Sequence, residues 1–152
     1  MEALIIFIVL LVVGYAAGSM NEKNHYKSIE EREKKALNLP VVNMKKVEAV
    51  LQPGKKIASA ELVTGNVVVS IDYFKMVAAS LRNLVGGNVR SYESLVDRGR
   101  REAILRMIEA AGPVDIIMNV RIETSTIGKN PNRGSAGSVE VLAYGTAIKY
   151  VY

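Results

Sequence analysis

The chain has no cysteine and a single histidine, His25, among its 152 residues. The first absence excludes a disulfide framework, a thiolate metal site and a cysteine nucleophile. The second excludes a zinc site of the usual kind within one chain, because no other imidazole can join His25. Catalysis would then rest on serine–lysine or carboxylate chemistry, yet Ser59, Ser70, Ser80 and Ser91 have no local lysine motif around them. The composition predicts a protein that is not an enzyme and carries no cofactor.

Charge is also missing, locally. Between Glu2 and Glu22 no residue is charged, and the window reads ALIIFIVLLVVGYAAGSMN. About 19 such residues make a helix roughly 28 Å long, close to the ~30 Å hydrocarbon core of a bilayer. A cleaved signal peptide competes with this reading, since Ala16-Ala17-Gly18 before Ser19 supplies small residues. A signal peptide, however, begins with basic residues, and only Glu2 precedes the apolar run. The basic residues follow instead, at Lys23, Lys27, Arg32, Lys34 and Lys35. That asymmetry predicts an uncleaved single-pass anchor in the inner, cytoplasmic membrane, with the N-terminus outside and the remainder in the cytoplasm. Within it, Gly14 and Gly18 form a G-x-x-x-G, a candidate packing face for a second membrane helix. Glycine is common in membrane helices, so the motif gains weight only if the rest of the chain oligomerises.

The ~130 residues that remain suit one compact domain and a connector. Net charge is +5, but the charges alternate in sign, as Asp97, Arg98, Arg100, Arg101 and Glu102 illustrate. This reads as a basic membrane flank and solvated helix faces rather than a nucleic-acid surface. The connector, Asn21 to about Leu39, contains Ser28-Ile-Glu-Glu, a capping-box pattern, and Pro40 ends it. It predicts a short solvated helix holding the domain off the membrane.

From Val41 the pattern is α+β. Val41 to Leu51 reads as a strand or edge segment, and Lys56 to Val63 as a strand. Thr64-Gly65-Asn66 reads as a turn into VVVSI. Ile71, Phe74, Ala78, Leu81 and Val85 share one face of a helix that Gly86-Gly87 stops. A longer helix runs to about Ala111, with Tyr92, Leu95, Val96, Ala103, Met107 and Ile108 on its apolar stripe and the pairs Asp97–Arg101 and Glu102–Arg106 outside. After Gly112-Pro113 come two strands: IIMNVRIETST, with Ile116, Met118, Val120 and Ile122 on one face, and SVEVLAYGTAIKYVY. A polar, glycine-rich loop, Gly128 to Gly137, joins them.

Val63-Thr64-Gly65, Val85-Gly86-Gly87 with Tyr92-Glu93, and Gly145-Thr146-Ala147 stand in an order that resembles the YbjQ family, also called UPF0145 and labelled as heavy-metal-binding. The likeness runs from about Lys55 to the C-terminus. It implies a dodecin-like β-α-β-β subunit with extra strands and a second helix, assembled as a homopentameric ring. Two departures matter. Gly112-Pro113-Val114-Asp115 replaces the family's Gly-Ala-Asp-Ala segment, and Arg121 stands on a strand where the family tends to carry acidic residues.

A soft metal wants thiolates or several imidazoles, which the chain lacks. A hard cation could use Glu61, Asp72, Asp97, Asp115, Glu123 or Glu140, but these are scattered without loop-like ligand spacing, so no metal site is assigned. Gly86, Gly87, Tyr92 and Glu93 are the candidate ligand-binding residues. A glycine pair before a helix N-terminus can cradle an anion, though it equally serves to close one helix before the next.

The sequence therefore divides into a transmembrane helix (residues 1–20), a juxtamembrane connector (21–40) and a YbjQ-like oligomerising domain (41–152). The expected function is a membrane-anchored, ring-forming cytoplasmic scaffold or binding protein. Its partners would be the bilayer, further copies of itself and an unidentified protein, with no nucleic acid. The alternative is a metal- or small-ligand-binding module with its sites between subunits.

Overall fold

The computed structural model describes residues 1–45, 55–70, 90–127 and 138–151. Its elements are α1 (Glu2–Ala36), β1 (Ile57–Ser70), α2 (Arg90–Ala111), β2 (Ile116–Ile127) and β3 (Ser138–Tyr150). The expected helix over Ile71–Val85, the Gly86-Gly87 turn, the segment after Lys45 and the Gly128–Gly137 loop lie outside the described residues.

The three strands form one antiparallel sheet in the order β1-β3-β2. The fold class is thus α+β. The last strand in the sequence, β3, is central and is flanked on both sides. Helix α2 lies across one face. It buries Leu95, Ala103 and Met107 against Val63, Val67 and Val69 of β1 and Val139, Val141 and Ala143 of β3. Gly112, with φ +62°, ends α2, a left-handed conformation that glycine adopts without penalty.

Three local expectations change. No turn interrupts β1, because Gly65 is part of a continuous strand. Its missing side chain lets the α2 backbone at Ala103 and Met107 pack directly on the strand. In β2 the pairing slips by one residue between Met118 and Arg121, where Asn119 takes φ +52°. This bulge breaks the expected single face. Ile117 and Val120 join the core under α2, whereas Ile116 and Met118 cluster with Ile148 and Tyr150 behind the sheet. Finally, α1 does not restart at Ser28. The chain has no proline or glycine between Ser19 and Ala36, so the helix runs on and Ser28 sits exposed in mid-helix.

After Leu39, which packs on the core, the chain crosses to the outer edge of β2. Val42 N donates to the Ile117 carbonyl (2.9 Å), Ile117 N to the Pro40 carbonyl (3.0 Å) and Asn119 N to the Met44 carbonyl (3.0 Å). The expected edge segment is therefore present through Met44 and runs parallel to β2.

Candidate functional site

The site that the fold assembles is a clamp between the second half of α1 and α2. Glu22, Tyr26, Ile29 and Glu33 recur at helical spacing, so they share one face of α1. That face lies on α2. Ile29 is fully buried. At one end, Ser94 Oγ donates to Glu22 Oε1 (3.2 Å), and Tyr26 OH donates to the Ser94 carbonyl (2.9 Å). In the middle, Arg101 donates from Nε and Nη2 to both oxygens of Glu33 (2.7 and 2.6 Å), and its guanidinium lies 5.6 Å from the centre of the Tyr26 ring. At the far end, Arg32 donates to Glu109 (2.7 and 3.0 Å) and to Glu102 Oε2 (2.7 Å).

Glu102 is the hub. Only 4 % exposed, it takes Arg32 on one oxygen and Arg106 Nε on the other (2.8 Å), with His25 Nε2 3.6 Å away. Its pair with Arg106 was expected on an outer face; α1 covers that face and buries it. Burial pushes the Glu102 carboxyl up, but the hydrogen bonds and charges of Arg106 and Arg32 outweigh burial and hold it below the ordinary range. The Glu33 carboxylate likewise raises the affinity of Arg101 for its proton. Arg106 continues to the Asn66 carbonyl on β1 (2.9 Å), which ties the clamp to the sheet. The connector thus docks on the domain instead of holding it away.

The expected site residues are not gathered into one place. Gly86 and Gly87 lie outside the described residues. Tyr92 and Glu93 stand in the first turn of α2, where Glu93 is exposed. Gly14 and Gly18 lie one turn apart on α1. The clamp residues were legible as a helical stripe, but one in which a single apolar position, Ile29, is framed by charge. Such a stripe reads as solvated until a partner of opposite pattern is placed on it.

The candidate cation ligands are likewise apart. Asp115 Oδ2 accepts from Tyr150 N (2.8 Å) and fixes the end of β3. Asp97 faces Arg101 at 3.8 Å, Glu61 and Glu123 are exposed on the two outer strands, and Asp72 lies outside the described residues. Among the described residues no three histidine, cysteine or acidic side chains converge as a metal would require. The donor chemistry therefore does not fit a soft metal within one chain. The sole imidazole neighbours a carboxylate already held by two arginines.

The first part of α1 has the opposite character. It is one helix long and apolar enough to cross a membrane, and nothing in the described chain buries it. Side chains from Ile5 to Val13 face outward on all sides.

A family model described as "Putative heavy-metal-binding" (YbjQ) matches residues 42–151. The UPF0145 protein VP1283 of Vibrio parahaemolyticus is 41% identical over 102 residues, covering 65% of this chain and 90% of that protein. A UPF0145 protein of Thermosipho africanus is 37% identical over 90 residues, covering 58% and 77%. One from Halobacterium salinarum is 35% identical over 99 residues, covering 63% and 88%. The match begins beyond α1, at the segment that pairs with β2, and takes in α2 and the whole sheet. The chain belongs to the YbjQ family, UPF0145, with helix α1 lying outside the matched residues.

Proposed function

We propose that this chain is a non-catalytic, membrane-anchored scaffold or binding protein whose YbjQ domain assembles as a dodecin-like homo-oligomeric ring on the cytoplasmic side. One observation carries the reading: α1 is continuous from an uncovered apolar half into a half clamped on the domain. A helix built this way holds its domain at a set position on a bilayer. The basic flank Lys23, Lys27, Arg32, Lys34 and Lys35, directly behind the span, supports the N-out orientation.

Self-assembly draws support from the sheet. Among the described residues the outer edge of the 14-residue strand β1 meets no other strand. On the face away from α2, Leu62 is 73 % exposed and Val68 is exposed as well. Long unpaired edges and exposed apolar faces are features that a neighbouring copy covers.

Membrane fractionation and native mass spectrometry in detergent test the two halves. The chain should stay with membranes through alkaline carbonate washing and leave in detergent as a multimer, with five copies expected. Release by carbonate sinks the anchor. A monomer at every concentration sinks the ring.

A further inference from the structure

We propose that the end of the domain formed by the start of α2 and the Ser70/Ser138 end of the sheet faces the lipid headgroups of the bilayer that α1 enters. This rests on the anchoring reading above and adds the orientation of the domain.

The clamp fixes the geometry. Contacts climb both helices together: Glu22 and Tyr26 meet Ser94, Glu33 meets Arg101, and Arg32 reaches Glu102 and Glu109. The two helices therefore run in the same direction, and the N-terminus of α2 points back toward the membrane-entering half of α1. The uncharged window closes at Asn21, and Glu22 is the first charge after it. At 1.5 Å per residue, Ser94 is held ~3–9 Å beyond Met20, at the level of the ~5–7.5 Å headgroup layer or just past its outer limit.

The sheet follows. Gly65 packs at Ala103 and Met107 of α2, whereas Gly99 packs at Val69 and Val141. Strand β1 thus runs opposite to α2, and its C-terminal end lies on the membrane side. Ser70 pairs there with Ser138, which in turn pairs with Ile127. Ser59 and its partner Lys149 stand at the other end, ~35 Å away along the strand. The end of α1 at Ala36 and the Pro40–Val42 segment belong to that distal end, because they adjoin Ile108 and Ile117. Lys23 and Lys27 are exposed on α1 at the proximal level, where lipid phosphates would meet them.

The absence of cysteine makes the test direct. Single variants Ser70→Cys and Ser138→Cys at the proximal end, and Lys149→Cys and Lys56→Cys at the distal end, would be labelled with a fluorophore in the full chain. Each is reconstituted into phosphatidylcholine–phosphatidylglycerol vesicles carrying a headgroup-attached spin-label quencher. Both proximal labels should be quenched at least about threefold more strongly than both distal ones, given their separation along β1. Equal quenching, or the reverse order, in protein that floats with the vesicles overturns the orientation and leaves the anchor intact. Protein that does not float overturns the anchor, and the orientation with it.

Discussion

Gly65 of β1 lies so close to the Ala103 carbonyl of α2 that a β-carbon at that position would overlap the oxygen, and the amide of Met107 as well. Both obstacles are backbone and cannot turn aside. Gly65→Ala is expected to cost ~3 kcal/mol or more, or to prevent folding, by forcing α2 off the sheet. Gly99→Ala is the control. There the new methyl meets side chains rather than backbone, Val141 Cγ2 at 3.0 Å and Val69 Cγ2 at 3.6 Å, while helix propensity rises by ~1 kcal/mol, so the change should stay within about 1 kcal/mol of the parent. Urea denaturation of the full chain in detergent separates the two.

Ile29 is the apolar centre of the clamp and is fully buried. Ile29→Ala should destabilise the docked half of α1 by ~2–4 kcal/mol, the usual cost of a core truncation to alanine. Limited proteolysis would report it as new cleavage between Asn21 and Leu39, with the sheet protected. If cleavage there is unchanged, the docking is not held by this contact.

Arg32 carries three of the clamp's hydrogen bonds. Its pair with Glu109 is more than half exposed on the carboxylate side and contributes little. The pair with Glu102 matters more, because that carboxylate is buried. Arg32→Met is expected to cost ~1–3 kcal/mol, since Arg106 alone is left to compensate the charge. Adding Glu102→Gln should recover part of that loss. A double-mutant cycle measures the recovery, and strict additivity would mean that the two groups are not coupled.

Acid should open the same contact. The Glu102 carboxyl is held below its ordinary range, so its stabilising effect is complete above the unfolded carboxylate value of ~4.3 and is lost as pH falls through the lower folded value. Below pH ~4 pepsin should cut the Asn21–Leu39 segment faster than acid activation of the protease explains. The Glu102→Gln variant should show a smaller pH step, the remainder coming from Glu33, whose carboxyl the Arg101 hydrogen bonds also hold below its ordinary range. Among the described residues the apolar core under α2 contains no titrating group, and it should outlast the clamp.

Much of the domain was legible before its structure. Gly112-Pro113 stopped α2, Leu95, Val96, Ala103, Met107 and Ile108 of its expected apolar stripe pack on the core, and the sequence pattern of the family covers the matched region. The failures were local and share a cause. Gly65 reads as part of a turn and Asn119 as an ordinary member of a single-faced strand, but one marks where a helix backbone lies on the strand and the other a bulge that sends Ile117 and Val120 to the core. Both depend on the neighbouring element, which one-dimensional periodicity does not contain.

The helix at the N-terminus shows the same division. An uncharged window and a basic flank are properties of the chain alone, because transfer into lipid depends on residue type and length. The fate of the next stretch was not written there. Glu22, Tyr26, Arg32 and Glu33 are polar enough to stay in water, and only the facing Ser94, Arg101, Glu102 and Glu109 make burying them favourable. Composition determined that the chain has no thiolate chemistry and an N-terminal helix long and apolar enough to cross a membrane. Tertiary packing decided that this helix is joined to its domain by a clamp, because the worth of a charged side chain is set by the partner placed against it.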